Sequence, residues 1–405
     1  MIYKGNIEIS PAPFRYTDGK ERMLIQTTGE LTSYEIPAGT TSIKPYCFYM
    51  YNNLHSVHIP STVQEIFGHA FEMATALNEI NIPDGLTNIH ENAFKQCTSL
   101  TNIALSQSTT NLGAYAFYGC NSLANIDLGG VTDIKSSTFQ GCTSLSEITI
   151  PSSVTSIGLY AFQGCSNLET ANIPADVTTI GSSAFQDCTS LKNIAIPGSV
   201  TTIDTNTFKN CTSLETVTLN EGTTSIYNEA FAGCSMLTNI NFPSTLTAIR
   251  NNAFNSCYNL HSVTLPEGLQ NIDQQTFWLT ELTYIDIPST VTYIDRNAFY
   301  LHDLQQGIGD TITIILRGQI PYMGTSPFNI PGNNTPSFNR NTKRKVYLKA
   351  TTFDSSVSQT SVDRLFVSNS SNLTIYVPAN LVDTYKSASQ FSRYVACIEA
   401  DPETV

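Results

Sequence analysis

Leu145-Ser-Glu-Ile-Thr-Ile-Pro-Ser-Ser-Val-Thr-Ser-Ile-Gly-Leu-Tyr-Ala-Phe-Gln-Gly-Cys-Ser-Asn-Leu168 decides the fold. Its opening alternates apolar and polar residues up to Ile150, as a half-buried strand requires. Pro151 then ends the strand, because proline has no N–H to give to a ladder. Val154, Ile157, Ala161 and Phe162 turn inward, Gly158 and Gly164 let the chain reverse, and Leu168 begins the pattern again. Working outward, the residue closing the strand recurs at Ile36, Ile59, Ile82, Leu105, Leu128, Ile150, Ile173, Ile196, Leu219, Phe242, Leu265 and Ile287. A phenylalanine keeps the same beat from Phe48 to Phe299. Steps are 23 residues except for two of 22, after Leu128 and between Phe277 and Leu282, so twelve coils can be counted.

A fixed period of this length predicts a repeat solenoid, mainly β with short helical or turn segments, because one unit cannot bury its own apolar face and stacking supplies the core. Successive coils are expected to pair as parallel strands about 4.8 Å apart. Three regions follow: residues 1–30 as an N-terminal cap or attachment segment, 31–306 as the solenoid, and 307–405 as degenerate repeats with a C-terminal cap.

Composition narrows the function. The chain has 405 residues, only 13% of them charged, and a formal charge of −13. Residues 1–306 hold 11 basic against 26 acidic side chains, whereas 307–405 hold 9 against 7. An acidic body argues against nucleic acid or an anionic membrane as partner. Lys343-Arg344-Lys345 is the one basic run, and it reads as a solvated loop. No segment has the length and apolarity of a membrane span.

Eight of the ten cysteines share one column, three residues after the phenylalanine: Cys97, Cys120, Cys142, Cys165, Cys188, Cys211, Cys234 and Cys257. Stacked in parallel, they read as free, buried thiols packing as small apolar groups, with no close Cys-x-x-Cys pair for a metal. The six histidines lie at 55, 58, 69, 90, 261 and 302 with no fixed carboxylate partner and read as surface residues. Neither a phosphate loop nor a nucleophile elbow nor a zinc motif is present, so neither catalysis nor a cofactor is expected.

The repeat Leu-x-x-Ile-x-Ile-Pro-x-x-Val-Thr-x-Ile-Gly-x-x-Ala-Phe-x-Gly-Cys-Thr-Ser-Leu resembles the BspA-like branch of leucine-rich repeats, clearest in Leu145–Leu168 and Leu168–Leu191. Ile312 to Tyr322 is similar to the degenerate last repeat of such proteins, and Leu373 to Ala388 to the closing unit found after it in Bacteroidetes, where a final strand and short helix seal the open coil. The resemblance implies a right-handed coil with a surface-exposed binding or adhesion role, its ligands being protein or glycan on a host or neighbouring cell. Ile2-Tyr-Lys-Gly-Asn-Ile-Glu-Ile9 resembles short strands in structural proteins of tailed bacteriophages, which implies the alternative of a virion decoration, fibre or tail component bound to other virion proteins. No secretory leader opens the sequence. Cell-surface placement therefore calls for a signal beyond it, and a virion role calls for none.

Two contact sites are expected. The outward residues of the stacked strands form the first: Asn102, Asn125, Asp127, Glu147, Thr149, Asn172, Asn193, Thr216, Asn239 and Asn241, amides, hydroxyls and carboxylates that offer hydrogen bonds to sugars or to a polar protein surface. An aromatic patch at Trp278, Tyr284 and Tyr300 forms the second.

Overall fold

The structure, a computed structural model, describes residues 31–300, 311–324, 327–328, 343–366 and 373–404. The chain falls into two units, residues 1–199 and 200–405. Both are parallel β-solenoids.

In the first unit each coil supplies one strand of two or more residues to each of two faces. The outer-face strands include Ser33–Glu35, Ser56–His58, Asn102–Ala104, Asn125–Asp127, Glu147–Thr149 and Thr170–Asn172. They pair in parallel at the repeat interval, as Asn102 with Asn125 and Glu147 with Thr170 do. The second face is built of dipeptide strands, among them Ser42–Ile43, Glu65–Ile66 and Asn88–Ile89, again paired in parallel.

A third ladder runs through the turn. The N–H groups of His69, Phe71 and Met73 donate to the carbonyls of Glu91, Ala93 and Lys95 one coil on, at 3.1, 2.8 and 2.8 Å. The alternate N–H groups of Ala70, Glu72 and Ala74 donate locally to Phe67, His69 and Phe71. This division needs two left-handed residues per turn, here His69 (φ 61°) and Met73 (φ 60°). Such a conformation costs a non-glycine residue about 1–2 kcal/mol, which the extra inter-coil hydrogen bonds offset. Gly164 (φ 72°) occupies the second of these positions. Gly158 does not reverse the chain by positive φ; a Cβ there would lie 2.6 Å from the amide nitrogen of Ser136, so it is glycine because two backbones touch.

Phe48, Phe71, Phe94, Phe117, Phe139, Phe162 and Phe185 form the spine of this unit, each fully buried. Neighbouring rings lie 4.9 to 5.7 Å apart and within 17° of parallel. Burying each ring stabilises the fold by about 1.5–3 kcal/mol. The cysteines are free and buried. Each thiol also donates backwards: Cys97, Cys120, Cys142, Cys165 and Cys188 reach the carbonyl of the preceding coil's phenylalanine at 3.1–3.2 Å. Each of these carbonyls already accepts a local N–H, as Phe71 does from Ala74 at 3.0 Å, so the cysteine is a small apolar filler whose thiol takes up the second lone pair.

The second unit repeats this plan through Phe208, Phe231, Phe254, Phe277 and Phe299, and Phe328 stacks on Phe299 at 5.0 Å. Its outer sheet runs Tyr284–Ile287, Thr311–Leu316, Lys343–Leu348, Leu373–Val377 and Ile398–Ala400, all parallel. Two expectations change here. Lys343-Arg344-Lys345 is not a solvated loop but the start of a six-residue strand. Arg344 stands in register between Ile312 and Leu373, on the inward side, and burial lowers its pKa. The strand Leu373–Val377 is also not the last: the chain passes through the helix Val382–Ser387 and returns to add Ile398–Ala400 beside it. A helix at Gln359–Phe366 precedes both. The proposed N-terminal cap, residues 1–30, lies outside the described residues.

Candidate functional site

Period-two alternation turns one residue of each strand inward and its neighbours outward. In the first unit the outward rows hold Asn102, Asn125, Asp127, Glu147, Thr149, Asn172 and Asn193, all exposed. Asn125 Nδ2 donates to Asn102 Oδ1 at 2.9 Å, one step of an amide ladder between adjacent coils. Asp127 is partly occupied, since its Oδ1 accepts the Gly129 N–H at 2.9 Å. At the early end of the face, Glu35, His58, Glu79 and Asn81 border a shallow hollow of about 470 Å³. Asn81 serves the backbone: its amide closes on Ile59, accepting the N–H at 2.7 Å and donating to the carbonyl at 2.9 Å.

In the second unit, Asn239 is exposed and Thr216 is half-buried. Asn241 repeats the arrangement of Asn81, clamping Leu219 N–H at 3.1 Å and its carbonyl at 3.0 Å. That amide holds two coils together, so it offers a ligand less than its exposure suggests.

Farther along, the outer face of the second unit changes character. Strand register aligns Tyr284, Thr313, Lys345 and Thr374 in one row, and Asp286, Ile315, Tyr347, Tyr376 and Glu399 in the next. Tyr347 and Tyr376 stack at 4.7 Å, with the Lys349 ammonium 5.4 Å from the Tyr347 ring. Lys349 also bridges Asp401 at 2.7 Å and Glu403 at 2.8 Å. Asp286 is outward by alternation yet only 5% exposed, because Arg317 lies over it and donates through Nε at 2.8 Å and Nη2 at 2.5 Å. Those hydrogen bonds raise the Arg317 pKa, and burial raises that of Tyr284 above the ordinary phenol value.

The expected aromatic patch does not gather on this face. Trp278 and Tyr300 meet edge to face at 5.9 Å on the turn side, beside the phenylalanine spine, whereas Tyr284 opens an outer strand. The Trp278 indole N–H is buried without a hydrogen-bond partner. Ile315, Arg317, Tyr347 and Tyr376 were not foreseen as contact residues.

Among the described residues, no three His, Cys, Asp or Glu side chains gather where they could hold a metal ion. Burial pushes the Cys120 and Cys165 thiols up to about 12, and Cys97, Cys142 and Cys234 well above the ordinary value, so none is a poised thiolate. No described helix is long and apolar enough to cross a membrane.

Comparison with known proteins agrees with this architecture. Residues 22–130, 69–192, 111–237 and 178–305 match the family model described as BspA type leucine rich repeat region (6 copies). A leucine-rich repeat protein from Bacteroides ovatus shares 25% identity over 85% of this chain and all of its own, with a TM-score of 0.53. The pneumococcal vaccine antigen PcpA shares the fold at 17% identity, covering 93% of this chain and 89% of its own, with a TM-score of 0.51. A leucine rich cell surface protein from Faecalibacterium prausnitzii is 29% identical over 68% of this chain and 87% of its own, with a TM-score of 0.42. No curated protein matches the chain. The likeness of Ile2–Ile9 to virion proteins falls outside the described residues and has no counterpart among these relatives.

Proposed function

The chain belongs to the BspA-type leucine-rich repeat family, and from that premise we propose that it is a noncatalytic recognition protein that adheres to a protein partner at a cell surface. The observation that carries this reading is the outer sheet of the second unit, where Ile315, Tyr347 and Tyr376 align in one row with Tyr284 at the head of the next. Tyrosine and arginine dominate binding hot spots, because a large rigid group with one polar tip gains contact area for little lost freedom. Arg317 and Lys349 flank that row already fixed by carboxylates, so their ordering cost is met before a partner arrives.

Replacing Tyr284, Tyr347 and Tyr376 together by serine tests the reading on a panel of extracellular matrix and cell-surface proteins. We expect a loss of at least tenfold in affinity for whichever protein binds, with the melting transition kept. Unchanged affinity overturns it. A second reading, glycan recognition, is favoured by the exposed amides on the two outward rows of the first unit, Asn102, Asn125 and Asn193 on one and Asn172 on the other, whose side chains present both donors and acceptors. Charged replacements at Asn125 and Asn172, screened on a glycan array, separate the two.

A further inference from the structure

Two neighbouring columns on the turn side of the first unit carry an arrangement that the outer strand face does not use. Lys44, Phe67, His90, Gly113 and Lys135 occupy one column in successive coils, and Tyr46 and His69 another. The Lys44 ammonium sits 4.5 Å from the centroid of Phe67, and Phe67 stacks on His90 at 4.8 Å and 5° from parallel. Tyr46 and His69 stack alongside at 4.7 Å. Between these ladders runs a groove of about 580 Å³.

The Lys44–Phe67–His90 stack stops at Gly113. A Cβ there would lie 2.3 Å from the Glu91 nitrogen, so the position is closed to any side chain and the space above it stays open. The far face of the His90 ring is left uncovered. Its side chain is 36% exposed, while its Nε2 is buried without a hydrogen-bond partner, with Glu65 Oε2 3.9 Å away. On the other side of the gap stands Lys135, its Nζ fixed by Asn111 Oδ1 at 2.5 Å.

We infer that this gap receives an aromatic side chain of a partner polypeptide. Coil spacing of about 4.8 Å sets the rung of the ladder. A ring entering above Gly113 takes the next rung on the open face of His90, and Lys135, one rung beyond, falls within the roughly 6 Å over which an ammonium is attracted to a ring face. A saccharide gains less here, because the Lys135 ammonium and the Asn111 amide oxygen that would bind its hydroxyls are already bonded to each other. The site is separate from the outer strand faces on which the proposed function rests, and its test does not depend on them.

The probes are the pentapeptides Gly-Gly-Trp-Gly-Gly, Gly-Gly-Tyr-Gly-Gly and Gly-Gly-Leu-Gly-Gly, with methyl glucoside as the saccharide, titrated into the intact chain labelled at histidine and followed by the His90 ring resonances. Saturable shifts with the aromatic peptides, at least fivefold weaker with leucine and weakened threefold or more by Lys135→Gln, are expected. Lys135 is a surface residue, so Lys135→Gln keeps the test valid even where His90→Ala fails to fold. Equal binding of the leucine peptide, saturable binding of methyl glucoside in place of the aromatic peptides, or no saturable shift at His90 would each overturn the inference.

Discussion

The outer strand face of the first unit and that of the final sheet of the second are built on one plan and carry different chemistry. In the first, Asn102, Asn125, Glu147, Thr149 and Asn172 stand exposed, and Asn125 holds Asn102 through one amide contact at 2.9 Å. In the second, Tyr347 stacks on Tyr376, and Arg317 covers Asp286 through two hydrogen bonds. The difference follows repeat length. Coils of 22 or 23 residues give outer strands of two to four residues, whereas the steps from Ile287 to Leu316, Leu348 and Val377 are 29, 32 and 29, and those strands reach five or six. By alternation, longer strands add positions on both sides, and one of the inward ones is Arg344. The surface thus changes from hydrogen-bonding carpet to anchored aromatics while the phenylalanine spine continues beneath it.

The strongest way to break the comparison is through the phenylalanine spine that each unit has beneath its face. Phe162→Ala and Phe299→Ala should each destabilise by about 3–5 kcal/mol in chemical denaturation, because each leaves a cavity between coils. A cost below about 1 kcal/mol at either position would mean that the unit holding it is not built on a buried phenylalanine spine. Next comes the part-buried ion pair of the later face, Arg317 with Asp286. Asp286→Asn should cost about 1–2 kcal/mol, less than a fully buried pair because Arg317 is half exposed, while Lys192→Ala, which breaks an exposed pair with Glu169, should stay within about 0.5 kcal/mol. Asparagines sharpen the contrast further. Asn241→Ala strips the clamp from Leu219 and should cost about 1 kcal/mol, whereas Asn125→Ala should be nearly neutral.

The smallest effect concerns pH and the second face of the first unit. Asp133 has its pKa lowered, chiefly by the hydrogen bond from Ser156 at 2.6 Å. A carboxyl depressed on folding lends stability above its unfolded pKa and withdraws it as pH falls through the folded one. Asp133→Asn should therefore lower the melting temperature slightly at neutral pH and make no difference in strong acid. An equal shift at both ends of that range would remove Ser156 from the account.

The spine, the thiol column and the strand positions were legible because each repeats on the period, and a period is a physical constraint on stacking. What sequence reasoning missed lies where that constraint lapses or where no residue type announces the geometry. Tyr347 and Tyr376 align only once steps of 29 and 32 residues are known, and counting by 23 puts them out of register. The left-handed turn columns are legible in part, since Asn92, Asn206, Asn210 and Gly164 tolerate positive φ, but Met50 and Met73 in the same columns do not advertise it, and inter-coil bonds impose it on them. Asn81 and Asn241 look identical to exposed neighbours until their partners are seen. The Lys44, Phe67 and His90 ladder, by contrast, falls on the 23-residue step and was within reach of column reading.

The turn ladder has a head and a tail. In the coils of Phe71, Phe94, Phe117, Phe139 and Phe162 the phenylalanine gives its N–H forward to the next turn, and its carbonyl accepts a thiol from it. Junctions between 23-residue coils that carry both bonds therefore match one another, so excising or duplicating one such repeat would leave matching seams. Length in such a chain is something selection can edit in single steps, lengthening or trimming reach without redesigning the inside.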